Sequence, residues 1–309
     1  MNKIATSLSI IFLIVSQSLF CQKKVAITID DVPNTIQYEK DGYNSLLLKK
    51  LDSLSVPITI FVNEGLLYKT ASPDKNFKLL TEWYKKEYIT LGNHSFNHSR
   101  YSVVGIDSFK TEIIKGAYIS KELANHYKKP LRYFRFPYND MGKDSIQHHA
   151  VREFLTNTGY TITPFTIESS DWMYNSVYLH YLEKGDIEKA REIGRQYVNK
   201  TIAYFDFFEK ASHDLYRRPI HHIYLCHDNR INADYLDVLL HALKKKNYEF
   251  ITLDEALSDK VYDQEDRYYH KWGVSWMYRY LDDKRVRSKL MKSEPSTQQL
   301  EALYNNINQ

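Results

Sequence analysis

The stretch Lys23-Lys24-Val25-Ala26-Ile27-Thr28-Ile29-Asp30-Asp31-Val32-Pro33 decides the fold. Its centre is an almost unbroken apolar run, and it stops on two adjacent carboxylates and a proline. A strand without alternation of apolar and polar residues is covered on both faces, which is the habit of parallel sheets flanked by helices. Similar runs recur at Ile58–Val62, Tyr88–Leu91, Leu131–Phe136, Tyr160–Ile167, Ile220–Cys226 and Tyr248–Leu253. Helix-like segments lie between them. Ser45–Leu54 carries Leu46, Leu47, Leu48, Leu51 and Leu54; Ser108–Tyr127 opens after Asp107 and closes before Pro130; Asp186–Phe208 is long; Ala233–Lys246 sets Leu236, Leu239, Leu240 and Leu243 on one face. Strands alternating with helices predict an α/β domain with a parallel sheet, and seven such strands predict a closed or nearly closed barrel.

Composition agrees with a globular enzyme-sized domain. The 309 residues are 43% apolar and 26% charged, enough for a sizeable core. The net charge of +4 is spread along the chain without a like-charge block, so no electrostatic footprint for nucleic acid is present. The 26 tyrosines could serve as platforms for sugar rings, but most are expected at core edges with their hydroxyls bonded. At the N-terminus, Lys3 precedes an apolar run from Leu8 to Val15 and then Ser16-Gln17-Ser18-Leu19-Phe20-Cys21. Residues 1–21 read as a secretory signal peptide, too short for a comfortable membrane span. The expected product is exported, periplasmic or secreted, with no stable membrane insertion after cleavage. A lipid anchor on Cys21 and an uncleaved N-terminal anchor are the alternatives, and Phe20 is bulky for a lipoprotein site. With Cys21 removed, Cys226 is the sole thiol and no internal disulfide forms.

Past Leu257 the character changes. Tyr262–Tyr280 is dense in aromatics and charge, Lys284–Lys292 is basic and reads as a solvated helix face, and Thr297–Asn306 reads as an amphipathic helix or a frayed tail. Residues 22–258 are expected to form the domain, with 259–309 an appendage packed on it.

The chemistry-bearing residues cluster at predicted strand ends. Asp30 and Asp31 close the first strand, and in a parallel barrel the carboxyl ends of the strands form the active face. Two neighbouring acids there repel unless a cation attends them; an Asx turn or helix cap is the alternative. His94 and His98 follow the strand Tyr88–Leu91. Four apart on a helical turn, they would share a face and could hold one ion. Ser95 stands where zinc-protease helices carry a glutamate base, so the base must come from elsewhere, and the Asp30–Asp31 pair offers one carboxylate for metal and one for proton transfer. An isolated pair of this spacing is otherwise a surface feature.

Taken in order, Thr28-Ile29-Asp30-Asp31, His94-Ser95-Phe96-Asn97-His98, Arg135-Phe136-Pro137-Tyr138, Asp171-Trp172 and Leu225-Cys226-His227 resemble the five motifs of the polysaccharide deacetylases, the NodB homology domain of carbohydrate esterase family 4. The resemblance spans roughly Lys23 to Leu257 and implies a distorted (β/α)7 barrel with a short, mainly helical C-terminal extension. It implies that Asp31, His94 and His98 hold a divalent metal, zinc first and Co2+ or another divalent ion as alternatives. Asp30 would be the general base, Arg135 would orient it and keep it ionised, and the Tyr138 backbone N–H would meet the oxyanion. His227, tuned by Asp171, would protonate the leaving group. Trp172 and Leu225, with Tyr138, would bind substrate, the first two lining the pocket for the acetyl methyl. The implied activity is removal of acetyl groups from an N- or O-acetylated glycan or oligosaccharide. A related amidase or esterase on a non-carbohydrate substrate, and a non-catalytic glycan-binding protein, are the alternatives.

The chain departs from the family pattern in four places. Ile29 and Val32 flank the acid pair where phenylalanine and glycine are usual, Asn139 follows Tyr138 where glycine is common, and Glu168 replaces a common aspartate. A β-branched residue in a left-handed conformation is strained, so Val32 is expected to disturb the loop. His148, His149, His221 and His222 match no motif and are expected to be structural or superficial.

Overall fold

The computed structural model describes residues 22–308, and the expected signal peptide lies outside them. Eight strands form one wholly parallel sheet: β1 (Lys23–Val32), β2 (Ile58–Val62), β3 (Ile89–Asn93), β4 (Leu131–Phe134), β5 (Thr161–Ile162), β6 (Ile167–Glu168), β7 (His221–His227) and β8 (Tyr248–Phe250). The order is β5-β4-β3-β2-β1-β7-β6, with β8 paired to the first residues of β1. Apart from the short step from β5 to β6, the connections run through helices, as parallel pairing requires, and these cover the outer face.

The expected run Tyr160–Ile167 is two strands, not one. Thr163 N donates to Phe134 O and Thr166 N to Ile223 O, so the chain leaves β4 and joins β7 within four residues. Pro164 sits at the crossing and has no N–H to continue a ladder. The barrel is thus open between β5 and β6. Its seam is filled by the C-terminal segment, where Ser275 Oγ donates to Thr166 O at 2.7 Å and Trp276 N to Phe165 O at 2.9 Å.

Alternation along β1 sorts the core. Val25, Ile27, Ile29 and Val32 join the large cluster under the helices, while Ala26 joins Phe61, Tyr133, Ile223, Ile251 and Leu253 in a second, smaller cluster inside the barrel. Above that apolar plug the interior turns polar, through Thr28 and Arg135 to Asp30.

The helices at Leu46–Leu54, Ile187–Tyr216 and Arg230–Lys245 carry the predicted apolar faces, capped by Ser45, Asp186 and Asn229. The expected helix Ser108–Tyr127 is two, Tyr101–Lys115 and Tyr118–His126. The break falls at Gly116, whose missing Cβ would lie 2.4 Å from the Ser95 carbonyl carbon. Three further helices between strands, Pro73–Lys85, Ser145–Asn157 and Asp171–Glu183, were not among the expected ones; the last has apolar residues on all sides and so shows no amphipathic face. In the C-terminal region the basic run forms the helix Lys284–Lys292, mostly exposed as expected. Arg287 is the exception: it is buried, and its Nε donates to Tyr278 O.

Candidate active site

Asp30 and Asp31 leave β1 in different directions. Asp30 points into the barrel and is buried, whereas Asp31 adopts φ 60 and faces the cleft. The left-handed residue is therefore Asp31, which tolerates that region, and not Val32. Val32 keeps an extended place beside Val62 and is fully buried, so the expected strain at Val32 does not arise.

His94 and His98 do not lie on a helical turn. They sit on a loop curled by left-handed Ser95 (φ 68) and His98 (φ 58). Asn93 Oδ1 accepts from Ser95 N at 2.8 Å, and Asn63 Nδ2 donates to the His94 carbonyl, so two asparagines hold the curl. The rings still converge, with centroids 5.0 Å apart. Asp31 Oδ1 is 3.6 Å from His94 Nε2 and 3.4 Å from His98 Nε2. Tetrahedral zinc with bonds of about 2.0–2.1 Å separates its ligands by about 3.4 Å, so this donor set fits such an ion. His94 Nδ1 lies 2.8 Å from Arg135 O. Donation to that carbonyl fixes the tautomer and turns the Nε2 lone pair to the cleft. Burial, with His98 beside it, holds the His94 pKa down at about 3, so the ring is neutral and free to ligate.

Asp30 stands behind this group. Arg135 Nη1 donates to Asp30 Oδ1 at 2.8 Å and to Thr28 Oγ1 at 2.6 Å, and Nη2 donates to Pro164 O at 3.1 Å. The guanidinium is fully buried and rests 4.3 Å over the Phe61 ring. Burial raises the Asp30 pKa above the usual carboxylate value, with Arg135 and His227 pulling against it. A buried carboxylate raised in this way can accept a proton from a water at the Asp31–His94–His98 group.

Across the cleft, Asp171 Oδ1 is 2.6 Å from His227 Nδ1. Its Oδ2 accepts from His227 N, Asn229 Nδ2 and Asn232 Nδ2. Burial alone would lower the His227 pKa, but Asp171, then Asp31 and Asp30, outweigh it and carry it up to about 10. A cationic imidazole with Nε2 free can donate a proton. Replacing Asp171 by Asn is expected to bring that pKa down toward an ordinary imidazole value, because the dominant raising charge is gone. Titration of the metal-free protein by histidine NMR checks this; an unchanged pKa would assign the shift to other groups.

Tyr138, at φ 56, sets its ring 4.4 Å from that of His98 in a tilted contact and under the Arg100 guanidinium at 3.8 Å. Leu225 and Trp172 line the same cleft, which encloses about 710 Å3 and also takes in Asp30, Asp31, His94, His98, Tyr138 and His227. Trp172 is half exposed, and its ring meets Tyr304 edge-on at 5.4 Å. Eight of the ten candidate residues line the cleft, and Arg135 and Asp171 lie behind it, bonded to Asp30 and His227. His148, His149, His221 and His222 lie outside it, and their rings lie within hydrogen-bonding distance of Gly142 O, Ser145 O, Glu255 O and Thr166 Oγ1.

Several residues of the site escaped the sequence reading. Asn229 and Asn232 hold Asp171, and the only sequence signal is an asparagine pair three apart at a helix start, which also reads as a cap. Asp228 also lines the cleft, and so does Glu168, which the sequence marked only as a departure from the family's aspartate; each is raised to about 7, chiefly by burial. Gly273, from the C-terminal region, lines it too.

With this geometry in view, relatives are informative. The polysaccharide deacetylase family matches residues 19–163. The chain is 26% identical over 236 residues to the putative polysaccharide deacetylase YheN of Bacillus subtilis strain 168, covering 76% of this chain and 68% of that protein. The chain is thus similar to the polysaccharide deacetylases, by the family model over residues 19–163 and by this relative over three quarters of its length. Its fold resembles that of the peptidoglycan N-acetylglucosamine deacetylase Bc1960 (TM-score 0.53, 19% identity, 77% of this chain and 89% of that one). It also resembles a carbohydrate esterase family 4 pseudoenzyme from Bacillus anthracis (TM-score 0.51, 15% identity, 77% and 66%). At these identities the solved structures establish the NodB-like barrel alone.

Proposed function

We propose that this protein is a polysaccharide deacetylase, a metal-dependent hydrolase that removes acetyl groups from an N- or O-acetylated glycan. The observation that carries the reading is the meeting, in one cleft, of the Asp31–His94–His98 donor set, the buried Asp30–Arg135 pair and the Asp171–His227 pair. Asp31, His94 and His98 hold the divalent ion, zinc by the match of donor types and spacing. When bound, the ion supplies Lewis-acid polarisation of the acetyl carbonyl and makes a water nucleophilic near neutral pH. Asp30 takes the proton of the attacking water, and Arg135 fixes the direction of its carboxylate. The Tyr138 N–H would donate to the oxygen where negative charge develops. His227 passes its Nε2 proton to the departing amine or alcohol, while Asp171 holds the other nitrogen. Trp172 and Leu225 enclose the methyl group, and the exposed rings of Tyr138 and Trp172 suit the faces of sugar units.

Export fits such a substrate. The apolar N-terminal segment supports a signal peptide, and no helix of the described residues is long and apolar enough to cross a membrane.

Acetate release from acetylated chito-oligosaccharide, acetyl-xylan and peptidoglycan tests the reading. Turnover of at least one is expected to vanish with chelator and return with zinc. No acetate from any of them with zinc-loaded protein would overturn it. Tight glycan binding under those conditions would instead favour a non-catalytic role.

A further inference from the structure

Tyr138 and Asn139 are consecutive non-glycine residues in left-handed backbone, at φ 56 and φ 51. Side-chain-bearing residues disfavour this region, and such a pair persists only where its surroundings hold it. From within, Asn139 N donates to Phe136 O at 2.8 Å and Asp140 N to Pro137 O at 3.1 Å. From the side, His98 and Arg100 pack on the Tyr138 ring. The remaining face is closed by Gly273, more than a hundred residues later in the chain. A methyl group on Gly273 would lie 2.2 Å from Tyr138 O and 2.8 Å from Asn139 Cβ, both far inside contact distance.

Gly273 is itself held. Two and three residues on, Ser275 and Trp276 bond to the Thr166 and Phe165 carbonyls at the barrel seam. Further along, Arg279 is clamped by Asp266 at 2.6 Å. The C-terminal segment therefore presses a backbone with no side chain against the loop that carries Tyr138. The φ of Gly273 lies outside the left-handed range, so alanine is conformationally acceptable there and the obstacle is steric alone.

We propose that Gly273 is a positioning residue, through which the C-terminal extension sets the Tyr138 N–H against the reacting carbonyl. The inference rests on the deacetylase reading for its kinetic consequence but not for its structural one. Crowding by a Cβ would push the Tyr138–Asn139 backbone away from Gly273, while the metal donors, carried by the end of β1 and the loop after β3, stay in place. A donor moved by part of an ångström costs turnover more than binding.

The test is Gly273→Ala in the full chain. Expected are a kcat about 10- to 100-fold lower, a KM within about twofold, unchanged zinc affinity and faster amide hydrogen exchange in residues 137–141. Asn139→Gly in the same background is expected to recover part of both the protection and the kcat, by removing one of the two clashes and relaxing the left-handed residue. Unchanged exchange and kcat would overturn the proposal, and so would a parallel fall in zinc affinity and thermal stability, which would mark a global effect. Should Gly273→Ala fail to fold, Ser275→Ala loosens the same anchor: faster exchange in 137–141 supports the proposal, and unaltered exchange rejects it. If the unmodified protein releases no acetate, the deacetylase reading falls, while the exchange data still decide the role of Gly273.

Discussion

Replacing Asp30 by Asn is expected to lower kcat by about 10²- to 10⁴-fold while leaving zinc bound. The expectation follows from where the two acids point. Asp31 Oδ1 lies 3.4 and 3.6 Å from the histidine nitrogens, whereas Asp30 approaches His94 only to 3.8 Å and spends its other oxygen on Arg135. The amide keeps the shape and an acceptor for Arg135 but cannot take a proton at neutral pH. A cost in stability accompanies the change. The fully buried guanidinium loses its counter-charge and keeps only neutral acceptors, the new side-chain amide oxygen together with Thr28 Oγ1 and Pro164 O. Removing one member of a buried pair typically costs 3–5 kcal/mol, and the retained neutral acceptor brings the expectation to about 2–4 kcal/mol. Steady-state kinetics, zinc titration and urea denaturation read the three effects separately. Loss of zinc together with turnover would make Asp30 a ligand and remove it as the base.

The second large effect is on stability and lies at the other end of the chain. Asp266 and Arg279 are both buried, 2.6 Å apart, with His148 Nδ1 at 3.8 Å and Arg152 at 3.4 Å. Burial opposes ionisation of Asp266, but the bonds and charge from His148 and Arg279 prevail and hold its pKa at about 2. A carboxylate depressed on folding contributes stability above its unfolded pKa of about 3.9 and loses it as pH falls toward 2; the shift corresponds to about 2–3 kcal/mol. Asp266→Asn should therefore cost about 3–5 kcal/mol at pH 7 and less at pH 3, the two proteins converging in acid. Urea denaturation at both pH values measures it. A gap that did not narrow in acid would show that the charge of Asp266 is not what secures the extension. Because that extension carries Gly273, the same substitution should also raise hydrogen exchange in residues 137–141.

Much of this was legible in the chain. The apolar runs marked the strands because residues covered on both faces carry no polar positions, and the acids and histidines stood at strand ends because a parallel barrel gathers those ends on one face. What failed to show was local geometry set by distant partners. The spacing of His94 and His98 suggested a helix, yet Asn63 and Asn93 curl the segment into a loop that brings the same two rings together. Val32 looked strained, yet the left-handed turn falls one residue earlier, where an aspartate accepts it. Tyr160–Ile167 read as one strand, because apolarity does not reveal that Pro164 stands at the seam.

The sequence by itself determined the barrel, the order of its strands along the chain and the residue types that meet at its mouth, since these follow from patterns within short segments. Only the tertiary structure decided the tautomer of His94 through Arg135 O, the support of Asp171 by Asn232, and the closure of the seam and the Tyr138 loop by residues 273–276. Those contacts join positions tens to more than a hundred residues apart, and no linear spacing encodes them. They exist because the folded backbone leaves particular carbonyls unpaired and particular gaps unfilled, and a distant stretch of chain supplies the donor or the space.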